Sequence, residues 1–199
     1  KSTMTIEVDA NTSEGDVVKV AVLEGGQGYS AENPSSKVIA EARVQNGKAE
    51  IKIDNMKTWS PDSPYLYGVR LTVTRDGKVV DTVEGYTAMR KISIVKDKSL
   101  NAYHRMALNN DPLFQFGPLD QGWWPDGLYT APTDEALKFD VAKTKELGFN
   151  MIRKHIKVEP ARWYYWCDVY GMLVWQDMPC IADHSRKQFP ARDKEVVEV

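Results

Sequence analysis

FNMIRKH, residues 149–155, is a short hydrophobic segment that ends in three consecutive polar side chains. Its apolar positions predict a strand covered on both faces of a sheet, because such strands are apolar almost throughout. The triplet Arg153, Lys154 and His155 marks the point where this strand leaves the core. The triplet is either a solvated rim or part of a functional site, and the neighbouring segments decide between these two interpretations.

The sequence on either side of this strand predicts two helices and a further strand. Thr133 is the expected N-cap of the first helix, and Gly148 ends it. Pro160 begins a second helix, which Gly171 ends, and MLVWQ at 172–176 is the next strand. The side chains of the first helix that we expect to face the sheet are Leu137, Val141, Thr144 and Leu147. Alternating strands and helices with short connections predict parallel strands, in either a doubly wound sheet or a (β/α)₈ barrel.

Polar side chains follow all three predicted strands of this region. The first strand, PLFQFG at 112–117, comes after the turn 109–111 and precedes a long loop. Polar residues then stand at 120–121 after the first strand, at 153–155 after the second and at 176–177 after the third. The carboxyl ends of the strands form the functional face in both α/β architectures. We therefore favour a functional site over a solvated rim.

Residues 1–97 have a different pattern, typical of an all-β domain. Seven segments of alternating or β-branched residues predict strands at 4–8, 17–23, 37–44, 49–53, 65–74, 78–83 and 89–95. Asn46-Gly47 and Asp76-Gly77 predict tight hairpins, because both dipeptides suit turns with positive φ. Seven short strands predict an immunoglobulin-like β-sandwich, with a barrel of similar size as the alternative.

The composition excludes several classes of protein. The chain has 199 residues, of which 42% are hydrophobic and 27% charged, a balance typical of a folded protein. A net charge of −2 gives no electrostatic basis for binding nucleic acid or an anionic membrane surface, and no apolar segment is long enough to span a membrane. Cys167 and Cys180 lack metal-ligand spacing, so we expect two buried thiols and neither a metal nor a cofactor.

Two stretches of the sequence are similar to family 2 of the glycoside hydrolases. Residues 59–92 contain WSPDSPYLY and resemble the end of that family's immunoglobulin-like domain, which has a Trp-x-Pro-x-x-Pro-x-Leu-Tyr segment. Residues 150–177 resemble its barrel signature, and LNNDPLFQFG at 108–117 resembles its LNGKPxxxxG segment. The resemblance implies an immunoglobulin-like β-sandwich over residues 1–97, followed by the first βα units of a (β/α)₈ barrel over residues 98–199.

The resemblance implies a retaining glycosidase that hydrolyses O-glycosidic bonds of an oligosaccharide or glycoside. Members of the family use two glutamates, one after the fourth barrel strand and one after the seventh. The similarity here reaches only the third strand, and Glu195 and Glu198 lie in a charged segment typical of a solvated helix. We therefore expect a fragment without catalytic residues and without turnover of its own. An incomplete barrel has unpaired strand edges, so self-association is a further expectation.

The resemblance also suggests roles for individual residues. Arg153 would support the nucleophile carboxylate, and the alternative is an ion pair with Asp177 or Asp120. The expected substrate-binding side chains share the same rim: Asp120, Trp123, Trp124, His155, Gln176 and Asp177. The alternatives are surface charges for the carboxylates, a structural role for His155, and a loop that plugs the barrel for the tryptophans. The aromatic residues that we expect to pack the second helix are Trp163, Tyr164 and Trp166.

The sequence departs from the family pattern at three places, one of which is QGWWPDGLY at 121–129 in place of the usual short loop after the first strand. The family usually has His-Tyr-Pro six residues after its signature Asn, where this chain has residues 156–158, Ile-Lys-Val. WQDMP at 175–179 is similar to mannosidase-like and glucosaminidase-like members, so the sugar stays open. The alternative function is a noncatalytic carbohydrate-binding or adhesive β-sandwich module. The compartment also stays open, with the periplasm or secretion as alternatives if a signal peptide was removed.

Overall fold

The computed structural model describes residues 3–27, 35–97 and 103–179. The chain divides into two compact units, Lys1–Phe114 and Gln115–Val199. Strands predominate, since the described residues contain 12 strands and two α-helices. No helix among them is long and apolar enough to cross a membrane.

Some of the sequence predictions concern residues outside the described ranges. Cys180, Glu195 and Glu198 all lie there, so the predictions for them stay predictions. Cys167 is described and is buried, as the sequence predicts. The domain boundary between residues 97 and 98 also stays a prediction.

Two antiparallel sheets of the first unit share a hydrophobic core. In chain order their strands are β1 (Thr3–Glu7), β2 (Val17–Gly26), β3 (Val38–Arg43), β4 (Lys48–Lys52), β5 (Leu66–Arg75) and β6 (Lys78–Thr87). One sheet pairs β1 with β4, and the other has the order β3-β2-β5-β6. The buried residues of the core come from both sheets: Met4, Val20, Val22, Ala49, Ile51, Ile53 and Tyr67. Alternation places one face of β1 to β5 in or against this core, because successive side chains point to opposite faces, whereas β6 is exposed along most of its length.

The two tight turns of the first unit have the predicted conformation. Asn46 and Gly47 have φ angles of 51° and 74°, and Asp76 and Gly77 have φ angles of 48° and 77°. Positive φ at both central residues matches the right-handed twist of the flanking strands. The Asp76-Gly77 turn joins β5 to β6, whose pairing extends to Arg75 opposite Lys78. The predicted hairpin at Asp76-Gly77 is therefore confirmed. The turn at Asn46-Gly47 is tight as predicted, but it leads from β3 in one sheet to β4 in the other, and Gln45 and Lys48 form an isolated bridge across it, so the prediction of a hairpin of two paired strands was wrong there.

A third antiparallel sheet completes the first unit. Its strands are β7 (Ile92–Asp97), β8 (Tyr103–Leu108) and β9 (Asp111–Pro112), in that order. Asn109 and Asn110 turn the chain with φ angles of 54° and 76°. The side chain of Asn109 donates to the backbone oxygen of Trp59 at 3.0 Å and accepts from the amide of Lys91 at 3.1 Å. This asparagine therefore ties the turn to two other segments of the unit.

The second unit is a parallel sheet with two helices. Its elements are β10 (Leu119–Asp120), α1 (Asp134–Glu146), β11 (Met151–Lys154), α2 (Ala161–Tyr170) and β12 (Leu173–Gln176). The strand order is β10-β11-β12, and both pairings are parallel. Its buried core combines the helices and the sheet: Leu137, Val141, Ile152, Trp163, Cys167 and Met172. The predicted alternation of parallel strands and helices is confirmed.

The helices begin and end where the sequence predicts. The hydroxyl of Thr133 accepts a hydrogen bond from the amide of Ala136 at 3.1 Å and so caps α1. Gly171 ends α2 in the left-handed conformation, with φ of 72°. Leu147 was expected to face the sheet, and this prediction is wrong. It is the C-cap of α1, beyond the last helical turn, and its side chain is exposed.

The first strand of this unit does not lie where the sequence predicted. PLFQFG at 112–117 was expected to be a buried strand, but β10 begins at Leu119 and Phe116 is 55% exposed. Gly117 passes so close to β11 that a Cβ atom there would lie 1.5 Å from the carbonyl oxygen of Met151. Pro118, which follows, has no amide hydrogen to donate to a sheet. The segment before β10 already bonds to the region of β11, since the amides of Asn150 and Arg153 donate to the carbonyl oxygens of Phe116 and Pro118, both at 3.0 Å. The regular strand nevertheless begins only at Leu119.

An ion pair at the start of β2 gives the first unit a measurable pH dependence. Arg75 donates to both carboxylate oxygens of Asp16, at 2.8 and 2.9 Å. These hydrogen bonds, together with one from the amide of Ser13, lower the pKa of Asp16 from 3.8 to about 2. Because the pKa is lower in the folded state, the pair stabilises the fold above about pH 4, and this contribution is lost as the pH falls toward 2.

We therefore expect Asp16→Asn to lower the urea midpoint of unfolding at about pH 7, and to matter less at about pH 3, where wild-type Asp16 begins to lose its advantage. Asp54→Asn is the control, since it removes an exposed carboxylate of the same unit. A midpoint difference that stays constant between the two pH values would contradict the assignment of this pair.

Candidate functional site

The ends of the three parallel strands place two rows of side chains side by side. Asp120, Lys154 and Gln176 are paired across the sheet, and one residue earlier so are Leu119, Arg153 and Trp175. Successive side chains of a strand point to opposite faces, so the two rows lie on opposite faces of the sheet. The second row is exposed, whereas Lys154 is buried on the side of Ile152 and the helices.

Arg153 forms a two-point ion pair with Asp177 on the exposed face. Its Nε and Nη2 atoms donate to the two carboxylate oxygens at 3.2 and 2.9 Å. The hydrogen bond from Arg153 lowers the pKa of Asp177, and the same bond raises the pKa of Arg153. Both groups are therefore charged at neutral pH. The pair is the one that the sequence analysis gave as the structural alternative for Arg153.

Lys154 lies in the interior of the unit with its charge neutralised by two carboxylates. Its side chain is 1% exposed, and Nζ donates to Asp120 Oδ2 at 2.6 Å and to Glu159 Oε1 at 2.8 Å. The ring of Trp163 lies 4.4 Å from Nζ, at a distance suited to a cation–π contact. A buried ammonium group is tolerated only with such partners, because an unpaired one is very costly to desolvate. Glu159, 2% exposed, is therefore part of the core, and Asp120, whose side chain is 24% exposed, lies at the edge of the core.

Lys157 is a second buried lysine and contacts the same glutamate. It is 2% exposed, and its Nζ lies 3.0 Å from Glu159 Oε1. It also donates to the carbonyl oxygen of Gly122 at 2.6 Å and lies 4.7 Å from the centre of the Tyr129 ring. We call Asp120, Lys154, Lys157 and Glu159 the buried ion cluster. Its two positive and two negative side chains balance.

Tyr164 and Gln176 extend the cluster toward β12. The hydroxyl of Tyr164 donates to the side-chain oxygen of Gln176 and accepts from the amide of Glu159. The amide nitrogen of Gln176 donates to the carbonyl oxygens of Lys157 at 2.8 Å and of Asp177 at 2.6 Å. Burial raises the pKa of Tyr164, so it stays a neutral donor. Tyr164 was expected only to pack the helix, and its hydrogen bonds are an additional finding.

The two tryptophans after β10 point in different directions. We call residues 121–130 the rim loop. Trp123 is 60% exposed, and its ring meets that of Tyr129 edge to face, with centroids 5.2 Å apart. Trp124 packs against the core of α1 and α2, and its indole nitrogen is buried without a hydrogen-bond partner in the part of the chain that the structure describes. His155 lies beside the loop, with Nδ1 3.4 Å from the side-chain nitrogen of Gln121.

Sequence reasoning missed Lys157 and Glu159 and read Lys154 only as part of a polar exit. A signal for Lys154 was present, because it lies two residues after Ile152 and therefore on the same face of β11. A lysine on a face that packs against helices requires nearby carboxylates. The sequence could not show that Glu159 supplies one of them, since that depends on the path of the chain between β11 and α2.

Within residues 3–27, 35–97 and 103–179, no group of three or more His, Cys, Asp or Glu side chains is placed to bind a metal ion. The charged groups near the strand ends pair with one another, as Arg153 does with Asp177 on the exposed face and buried Lys154 with Asp120. The side chains at the strand ends and in the rim loop can recognise a ligand through hydrogen bonds, fixed charge and aromatic faces.

Comparison with known proteins relates both units to carbohydrate-active enzymes. Residues 1–90 match the family model for glycosyl hydrolases family 2. The chain is 32% identical over 127 residues to the beta-galactosidase of Lactococcus lactis subsp. lactis (strain IL1403). This alignment covers 63% of this chain and 12% of that protein. It is 28% identical over 137 residues to the beta-galactosidase of Thermoanaerobacter pseudethanolicus, in an alignment that covers 65% of this chain and 17% of that protein.

Solved structures extend the likeness to most of the chain. The beta-glucuronidase from Ruminococcus gnavus, in complex with D-glucuronic acid, matches with a TM-score of 0.71 at 19% identity. The match covers 90% of this chain and 28% of that one, and at such identity it concerns the fold. The chain thus spans about an eighth to a sixth of the two curated relatives, from 12% to 17% of their length.

The buried ion cluster predicts a large effect of a single neutral substitution. Glu159→Gln keeps the shape of the side chain but leaves two buried ammonium groups short of one negative charge. We expect the free energy of unfolding of this unit to fall by about 3–5 kcal/mol. Tryptophan fluorescence, recorded during urea unfolding, measures this change in the free energy of unfolding.

Glu146→Gln is the matched control, because Glu146 pairs with Lys143 at 2.6 Å on the exposed surface of α1. We expect it to cost less than about 1 kcal/mol. Equal effects of the two substitutions would contradict the burial of the cluster.

Proposed function

We propose that the chain is part of a family 2 glycosyl hydrolase, a glycosidase that acts on an oligosaccharide or glycoside. In this proposal residues 1–97 form an immunoglobulin-like β-sandwich. Residues 98–199 supply the first βα units of a (β/α)₈ barrel, of which β10, β11 and β12 are the first three strands. The support is the match of residues 1–90 to the family and the parallel β10-β11-β12 sheet.

The single observation that carries the proposal is the position of Arg153. Its guanidinium group lies on the exposed face of the sheet, next to the carboxyl end of β11, and Asp177 holds it by two hydrogen bonds. A guanidinium group has five N–H donors, so three can serve another acceptor. We propose that this acceptor is the nucleophile carboxylate of the complete enzyme. A fixed planar donor suits that role, because it keeps the carboxylate ionised and oriented.

The substrate-binding proposals separate into two groups by geometry. Trp123 and His155 are accessible at the rim, where an indole face can stack on a pyranose and an imidazole can bond to a hydroxyl. Asp177 would contribute to substrate binding in one of two ways: it orients Arg153, or its carboxylate accepts a hydrogen bond from a sugar hydroxyl. Three further side chains make contacts inside the unit: Asp120, Trp124 and Gln176. For these we propose that the substrate contacts only the atoms that are accessible at the rim.

The proposed reaction is retaining hydrolysis, which needs a nucleophile and an acid/base carboxyl about 5 Å apart. The acid must be protonated at working pH, and the lowered pKa of Asp177 makes it unsuited to that task. Asp120 and Glu159 are committed to Lys154. We therefore propose that both catalytic glutamates lie in a downstream part of a longer polypeptide, and that this chain alone is inactive.

Two arms of one experiment test the proposal with an aryl β-glycoside such as p-nitrophenyl β-D-galactopyranoside or β-D-glucuronide. We expect no turnover by the 199-residue chain and turnover by the polypeptide that the complete gene encodes. In that complete enzyme, Arg153→Lys should lower kcat by about a hundredfold with little change in the melting temperature, because a lysine cannot reproduce the two-point donor.

Arg162→Lys is the matched control, since Arg162 forms a similar two-point pair with Asp134, between the two helices and away from the rim. It should leave kcat within about threefold of the wild type. Turnover by the purified 199-residue chain would contradict the fragment interpretation. An Arg153→Lys enzyme with normal kcat would show that Arg153 acts only as a structural cation.

A further inference from the structure

The rim loop is tied at both of its ends to one buried side chain. Lys157 donates to the carbonyl oxygen of Gly122 at 2.6 Å, near the start of the loop. The same ammonium group lies 4.7 Å from the centre of the Tyr129 ring, near its end. Asp120 holds the preceding peptide group, because its Oδ1 accepts from the amide of Gly122 at 2.7 Å. The loop is therefore fastened to the buried ion cluster rather than to the surface.

Gly122 shows how closely the loop rests on the cluster. Its φ of +65° favours glycine, and a Cβ atom added there would lie 2.3 Å from Glu159 Oε1 and 2.9 Å from Lys157 Nζ. A side chain at this position would have to displace two buried charged groups from each other. The hydrogen bond to the carbonyl of Gly122 thus depends on the absence of a side chain.

The fastened loop presents two aromatic rings to solvent. Trp123 and Tyr129 are 60% and 48% exposed and meet edge to face. Paired backbone hydrogen bonds between Trp124 and Leu128, of 2.8 and 3.0 Å, hold the intervening turn. A ring that is exposed but already held in place loses little conformational entropy when a ligand stacks on it. Flat aromatic faces of this kind suit the apolar C–H face of a pyranose.

We propose that Lys154, Lys157 and Glu159 are positioning residues that hold the Trp123–Tyr129 pair as a preformed stacking platform for a pyranose ring. The inference rests on the proposed glycosidase function, and it assigns the cluster a purpose beyond stability. Neither lysine reaches solvent, so their effect on a ligand passes through the loop.

The chemistry of the cluster supports positioning over stability alone. Apolar side chains of similar volume can replace a buried ion pair at little or no cost in stability. They cannot hold a backbone carbonyl at 2.6 Å, whereas an ammonium group has three donors to distribute. Lys157 gives one donor to Gly122 and another to Glu159, which Lys154 in turn connects to Asp120. The chain of contacts leads from the strand ends to the loop.

Gly122→Ala tests the platform while every charge of the cluster is retained. Gly148→Ala is its matched control: Gly148 also has a positive φ, of +89°, but a Cβ atom there meets nothing within 4 Å. We compare both variants with the wild-type chain by amide hydrogen exchange. We also titrate each with methyl β-D-galactopyranoside, glucopyranoside and glucuronide in saturation-transfer NMR.

We expect Gly122→Ala to raise exchange in the rim loop about tenfold over Gly148→Ala and to weaken glycoside binding by about the same factor. Trp123→Ala should abolish the binding. Tyr129→Leu removes the exposed ring beside Lys157, and it keeps the exchange test available if Gly122→Ala does not fold. It too should raise exchange in the loop.

The inference is overturned if both glycine variants bind the glycoside equally, or if loop exchange is unchanged in both Gly122→Ala and Tyr129→Leu. It is also overturned if the wild-type chain binds none of the three glycosides. The glycosidase proposal has a separate readout, which is turnover by the complete enzyme. A chain that binds through Trp123 while the complete enzyme is inactive would contradict that proposal alone.

Discussion

The ammonium group of Lys154 lies in the interior of the second unit, and the arrangement of the strand ends depends on how its charge is neutralised. Asp120 at the end of β10 and Glu159 before α2 both approach it within 2.8 Å. A buried cation without these partners would be more costly than most single interactions in a protein can offset. The first strand, the second strand and the approach to α2 are therefore held in one register by electrostatics as well as by backbone pairing.

Successive side chains of β11 point to opposite faces of the sheet, so its structural residues and its candidate site residue lie on different faces. Ile152 and Lys154 face the helices, and Arg153 between them faces the exposed side with Asp177. One face therefore carries an ion cluster that neutralises itself, and the other carries a cation with donors to spare. This division explains how a short segment can be both core and candidate site.

Local signals in the sequence predicted much of this fold. The conformations of the helix ends and tight turns depend on residues adjacent in sequence, so a short stretch of sequence is enough to predict them. This holds for Thr133, Gly171 and the Asn-Gly and Asp-Gly turns. The bounds predicted for the strand PLFQFG were wrong, because the close approach of Gly117 to Met151 depends on a residue distant in sequence. Trp123 and Trp124 are adjacent and were given one role, but only the folded loop decides which ring is exposed. The roles proposed for Arg153 and the substrate-binding residues come from the family resemblance and stay predictions.

Heteronuclear NMR of isotopically labelled lysine side chains tests the central role of the buried lysines most directly. We expect two ammonium signals, assigned by Lys154→Met and Lys157→Met, whose protons exchange with water far more slowly than those of exposed Lys143. Slow exchange follows from burial and from hydrogen bonds to Asp120, Glu159 and the carbonyl of Gly122. Ammonium protons of Lys154 that exchange as fast as those of Lys143 would contradict the account.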